Sequence, residues 1–208
     1  VVDLIRGERE TLVRLEILPA ETGMKGPSEI IDIVRNEVKL EEQAAQASVE
    51  EVETGDGVKK IGVIDVPVFY VDFRGRARNE PNYRSSTRDV RRLINELRAD
   101  GVEGIVIDLR GNGGGALVEA TTMTGLFIDT GPVVQVRDAN GRVSIETDRE
   151  PGMAWDGPLA VLVNRSSASA SEIFAAAIQD YGRGIILGEP TFGKGPVQNL
   201  FNLDNYLT

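Results

Sequence analysis

The chain contains no histidine and no cysteine, and aromatic residues make up only 5% of its 208 residues. Without histidine it cannot form a Ser-His-Asp triad, a Cys-His pair or the usual catalytic zinc sites. Without cysteine it has no disulfides, thiol nucleophile or iron–sulfur ligands, a composition that suits an oxidising compartment without requiring one. Basic residues are few: 23 lysines and arginines against 33 acids give a formal net charge of −10. That balance argues against nucleic acid as a partner, because phosphate binding needs a basic face. No apolar run approaches the roughly 20 residues of a membrane span, so no transmembrane segment is expected. Any hydrolytic base must therefore be Lys, Asp, Glu or Tyr.

The 41% hydrophobic content suffices for a real core. The chain opens at Val1 without methionine or a signal-peptide pattern and reads as a fragment of something longer. Residues 1–19 read as a helix end stopped at Gly7, then an alternating strand through Val13, Leu15 and Ile17. Pro19 to Ser28 marks a boundary, and Ile30 to Leu40 fits either a strand pair or a helix. "IGVIDVPVFYVDF" is β-rich, and "TRDVRRLINELRADG" predicts an amphipathic helix with Val90, Leu93, Ile94 and Leu97 on one face. "GIVIDL" and "LAVLV" read as strands buried on both faces. A helix is expected from Ala116 to Phe127, a hairpin turn at Asn140-Gly141, and further strands in "RGIILGEP" and "PVQNLF". Strands alternating with helices predict an α/β domain with mainly parallel crossovers.

Three loops follow buried strands: "RGNGGG", "NRSSASAS" and "GEPTFGKG". In α/β sheets ligands bind at such strand ends, so the three are candidates for one site. "GNGGGA" matches the dinucleotide pattern G-x-G-x-x-A, with Asp129 near the expected acidic position, but three residues separate the strand core from the first glycine. A tight turn that needs positive φ, or a cradle of amides for an oxyanion, fits the same residues. "RSSASASEIFAAA" runs directly into a helical apolar pattern, which removes a flexible linker from consideration. Ser169-Ala170-Ser171-Glu172 fits a capping box, and the same helix start suits a nucleophile. Lys194 in "FGKG" lacks the Walker A context and alone reads as a surface lysine. Enclosure by Phe192 and Val197 would instead disfavour its ammonium form and leave an amine able to take a proton from serine.

"GIVIDLRGNGGGALVEA" together with "RSSASASEIFAAAIQDYGRGIILGEPTFGKGPVQ" closely resembles the carboxy-terminal processing proteases, the tail-specific serine peptidases, in particular their bacterial periplasmic type. The likeness covers about residues 58–203. The resemblance implies an α/β core of the ClpP/crotonase type over 58–208, a connecting segment over 20–57, and the end of a PDZ domain in residues 1–19. It implies Ser169, the middle serine of S-A-S-A-S, as nucleophile and Lys194 as base, with Gln198 orienting the lysine and Asp180 in support. The oxyanion amides would come from Ala170 and from Gly114 or Gly115, with Asp108, Arg110 and Asn112 shaping their loop. Pro196 stands where the family pattern has threonine. The implied partners are proteins or peptides with apolar carboxy termini and an adaptor protein; the implied location is periplasmic and no cofactor is needed. Two other readings are a crotonase-like acyl-CoA enzyme and a catalytically silent binding module.

Overall fold

The computed structural model describes residue 5 and residues 7–19, 26–36 and 44–197. They divide into two compact units, residues 1–42 and 43–208. In the first, β1 (Leu12–Ile17) pairs antiparallel with β2 (Glu29–Val34), Leu12 opposite Val34. Arg14 donates to both carboxylate oxygens of Asp32 across this pair, at 2.7 and 2.8 Å. The undecided stretch from Ile30 is thus strand as far as Val34, and residues 37–40 lie outside the described residues.

The second unit is built on a five-stranded mixed sheet. Its elements in chain order are β3 (Gln46–Thr54), β4 (Gly57–Asp65), α1 (Phe73–Ala77), α2 (Ser86–Ala99), β5 (Gly104–Asp108), α3 (Leu117–Thr124), β6 (Gly131–Arg137), β7 (Val143–Asp148), β8 (Leu159–Val163), α4 (Ala170–Asp180) and β9 (Ile185–Gly188). The sheet order is β3-β4-β5-β8-β9, with β3 antiparallel to β4 and the other neighbours parallel. The expected α/β alternation is therefore present. Part of the segment expected as a connector, residues 46–54, is the edge strand of this sheet.

The apolar runs explain the layering. β5 and β8 are central, and Ile105, Ile107, Val161 and Val163 are buried. The predicted face of α2, Val90, Leu93, Ile94 and Leu97, is buried as the 3.6-residue period requires. Phe69, Phe127 and Phe174 are fully buried, and the Phe174 ring lies 6.4 Å from Phe69 and 5.8 Å from Phe127. Each such side chain stabilises the fold by about 1.5–3 kcal/mol, which fixes α4 beneath the strand ends. The β6–β7 hairpin turns at Gly141, where Asp138 accepts from the amides of Asn140 and Arg142 at 2.9 and 2.8 Å.

Two expectations change. The β-rich run from Ile61 to Phe73 is continuous strand only to Asp65; Pro67 interrupts it, and Phe69 and Val71 make single bridges to Gly115 and Ser85. Phe73 then opens α1, whose first amides bond to the Asp72 carboxylate, a cap that the β-rich pattern masked. Of the strand expected in "PVQNLF", Pro196 and Val197 are irregular and the rest lies outside the described residues. Among the described residues no helix is long and apolar enough to cross a membrane.

Candidate active site

The parallel strands β5, β8 and β9 end side by side, so the three glycine- and serine-rich loops leave the sheet together. Hydrogen bonds join them. The Ser167 hydroxyl donates to Leu109 O at 2.7 Å, and the Ser171 hydroxyl donates to Asn112 O at 2.9 Å. The Gly111 amide donates to Asn164 Oδ1 at 3.0 Å, and the Phe192 amide to Ser167 O at 3.0 Å.

This sorts the serines of S-A-S-A-S. Ser167 and Ser171 are fully buried and spend their hydroxyls on the loop after β5. The Ser171 hydroxyl is therefore not available for helix capping. Ser169 is half-buried, has φ 56° and ψ −112°, and its hydroxyl makes no hydrogen bond among the described residues. Positive φ at a residue with a Cβ is strained, and such residues gather at functional sites. The capping-box spacing is present, but the half that is hydrogen-bonded belongs to Glu172, whose Oε2 accepts from the Ser169 amide at 2.7 Å. The cap is thus provided without occupying the Ser169 hydroxyl.

The loop after β5 is shaped by Asn112, which is fully buried. Its Nδ2 donates to Val66 O at 2.6 Å and its Oδ1 accepts from the Gly114 amide at 2.8 Å. Gly114 and Gly115 have φ of 105° and 145°. A Cβ at Gly114 would lie 2.8 Å from Ser169 Cβ, and one at Gly115 would lie 2.2 Å from Phe69 O. Both the conformation and the close approach require glycine. With the Gly114 amide committed to Asn112, Gly115 is the one of the two candidate glycines whose amide has no partner among the described residues, and the Ala170 amide likewise has none. Arg110 pairs with Asp108 at 2.6 Å. Burial pushes the Asp108 carboxyl up, but hydrogen bonds from Arg110 outweigh it and hold the group below its ordinary range. Asp129, the acid of the dinucleotide pattern, accepts from the Gly152 amide at 2.7 Å and serves a loop.

Glu172 has a role that the sequence did not reveal. Besides the Ser169 amide it accepts from Thr191 Oγ1 at 2.8 Å, the Gly193 amide at 2.6 Å and the Lys194 amide at 2.9 Å. One carboxylate thus ties the serine to the lysine loop. Burial raises its pKa, and the bonds from Gly193, Thr191, Ser169 and Lys194 together outweigh that and hold it below the ordinary range. The S-x-x-E spacing was the available signal, although a local cap could not announce donors some twenty residues away.

Lys194 departs from its expected surroundings: it is exposed, and Phe192 and Val197 are 68% and 46% exposed. These two side chains do not enclose the amine, since the loop is held by its backbone. Two clefts share Ser169, Ile173 and Lys194. One, of about 630 Å³, lies between β6 and α4 and includes Asp180, which is exposed and has no ion pair with Lys194 among the described residues. The other, of about 970 Å³, is lined by Phe69, Val71, Phe73, Gly115, Leu117 and Ala170, among others. Gln198 lies outside the described residues. Among the described residues no cluster of acids could hold a metal ion.

Comparison with known proteins identifies the family. The chain is 47% identical over 204 residues to the tail-specific protease of Haemophilus influenzae, covering 98% of this chain and 26% of that protein. It is 33% identical over 201 residues to the carboxyl-terminal-processing protease of Synechocystis, covering 97% of this chain and 42% of that one. The chain thus spans less than half the length of either relative. The photosystem II D1 C-terminal processing protease superposes with a TM-score of 0.64 at 27% identity, covering 96% of this chain and 49% of that structure. A model described as peptidase family S41 matches residues 60–208, which include all three loops, and the chain belongs to that family.

Proposed function

We propose that the chain carries the catalytic core of a serine endopeptidase that works through Ser169 and Lys194. The observation that carries this reading is the free Ser169 hydroxyl on a strained backbone, beside the unpartnered amides of Gly115 and Ala170. In its unprotonated form Lys194 Nζ takes the proton from Ser169 Oγ, which attacks the peptide carbonyl. The tetrahedral oxyanion accepts from the Gly115 and Ala170 amides, the latter at the positive end of α4. The protonated lysine passes its proton to the leaving amine, an acyl-enzyme remains, and water attacks it with the lysine again as base. Glu172 is a positioning residue that acts through the backbone of both partners. Gln198 orients the lysine, and Asp180 supports it from the shared cleft. No cofactor takes part.

The same reading assigns a core of the ClpP/crotonase type to residues 58–208 together with its edge strand at 46–54, and the end of a PDZ domain to 1–19. Its substrates are proteins with apolar carboxy termini, with an adaptor protein as a further partner, in the periplasm. The relatives' names, which all describe proteases, favour this over an acyl-CoA enzyme or a silent module. Mass spectrometry after treatment with a serine-directed phosphonylating reagent tests it. The expected result is a single adduct on Ser169, lost in Lys194→Ala; labelling of another serine, or none at Ser169, would overturn it.

A further inference from the structure

The positive charge that is scarce in the whole chain is concentrated in one place. From Arg74 to Arg92 there are seven arginines and two acids, Glu80 and Asp89, in a chain whose net charge is −10. Some of these cations are satisfied: Arg92 pairs with Glu96 at 2.8 Å, Arg78 with Glu80 at 3.6 Å, and Arg91 reaches Glu150 at 4.0 Å. Others are not. Among the described residues Arg74, Arg76 and Arg88 make no ion pair with a carboxylate. Arg88 lies 4.6 Å from the Tyr83 ring centroid and donates to the carbonyls of Tyr83 and Pro81, contacts that hold the guanidinium without neutralising it.

This face is continuous with the catalytic cleft. Phe73, the first residue of α1, is 63% exposed and lines the cleft that contains Ser169, Ala170 and Gly115. Arg74 follows it on the surface, and Arg76 lines a neighbouring hollow with Arg88 and Arg91. The same hollow is lined by buried Glu119 and Asp148 and by the exposed Glu150 that Arg91 faces, so an anion is received by the arginines outside it and not within. A polypeptide held across Ser169 and leaving past Phe73 meets these uncompensated cations first.

We propose that the arginine-rich face of α1 and the start of α2 is a docking site for an acidic segment of the substrate polypeptide, flanking the bond to be cleaved. This rests on the peptidase reading above and adds a charge preference to it. Exposed guanidinium groups gain little from any single pair, but several of one sign steer and retain an oppositely charged segment, and salt weakens the effect.

The test uses the full chain and an Arg74→Glu/Arg76→Glu double variant. Peptides share one cleavable centre and carry an Asp/Glu run or a Ser/Gly run on either side of it. For the parent, KM should be on the order of tenfold lower for the peptide with the acidic run on the Phe73 side, and the gap should close as salt rises. The variant should lose this preference and cleave the Ser/Gly peptide as the parent does. Equal KM values for the parent, or a preference that survives in the variant, would overturn the proposal. So would a variant that loses binding to phosphatidylglycerol vesicles while keeping its peptide preference, which would assign the face to lipid. If the parent cleaves no peptide, the peptidase reading fails on its own. Fluorescence anisotropy of a labelled acidic peptide then decides: salt-sensitive binding that the variant loses upholds the docking site, and absence of binding overturns it.

Discussion

The loop after β5 and the loop after β9 both come to Ser169, and they are held there by different chemistry. The first is fastened by neutral groups inside the protein: Asn112 bridges Val66 and Gly114, and the Ser167 and Ser171 hydroxyls bond its carbonyls. The second is exposed at Gly193 and Lys194, and the amides of both rest on one ion, the Glu172 carboxylate. On the proposed mechanism the difference separates two catalytic requirements. An oxyanion is best met by dipoles fixed beforehand, and the first loop supplies them. A base has to gain and lose a proton and exchange with solvent, and the second loop leaves its lysine in reach of water.

The largest expected effect removes the group that both loops serve. Ser169→Ala should lower peptide turnover by several orders of magnitude while the thermal midpoint stays nearly unchanged, because its hydroxyl makes no cap bond. A large drop in melting temperature would instead make Ser169 a structural residue.

Glu172→Gln should come next. An amide keeps the shape but presents an NH2 group to some of the four donors that converge on the carboxylate. Turnover should fall about 10- to 100-fold through misplacement of Ser169 and Lys194, with about 1–3 kcal/mol of stability lost in denaturant melts. Unchanged turnover would show that the lysine loop finds its place without this ion.

Asn112→Ala divides differently between rate and stability. It strands the buried Val66 carbonyl and Gly114 amide, so about 1–3 kcal/mol of stability should be lost, with a smaller fall in rate than for Glu172→Gln. A variant that melts like the parent would mean that the loop is fixed by the serines alone.

Acid titration should give the smallest and most selective effect. The folded Glu172 carboxyl is held below its ordinary range, so its bonds stabilise the fold fully above the unfolded value and are lost as pH falls through the depressed folded value. By NMR, the Gly193 and Lys194 amide signals should keep their bonded shifts through the ordinary carboxyl range and move only at lower pH. The Gly114 amide, bonded to a neutral side chain, should not move with them. Movement of Gly114 in step with Gly193 would merge the two loops into one unit.

Much of this was legible from the chain. Buried strands such as "GIVIDL" and "LAVLV" announce themselves because their apolar residues serve both faces, and the α2 stripe follows helical period. The three loops could be placed at strand ends for the same reason. α1 was hidden because its cap, Asp72, sits inside a β-rich run and its helix is too short for a period to show. The choice between Gly114 and Gly115 turned on which amide Asn112 uses, a tertiary contact that sequence does not encode locally. The surroundings of Lys194 were misjudged because apolar neighbours in sequence need not be neighbours in space once a turn points them outward.

The parallel pairing of β5 with β8 also bears on the order of events during folding. Ile105 pairs with Leu159 across a stretch of chain that includes α3 and the β6–β7 hairpin. Contacts so distant along the chain close slowly. The loop with Lys194 lies further along the chain than the serine and is tethered back to it through the bonds to Glu172. On the assignment made above, a chain synthesised only as far as α4 therefore holds the serine without its base.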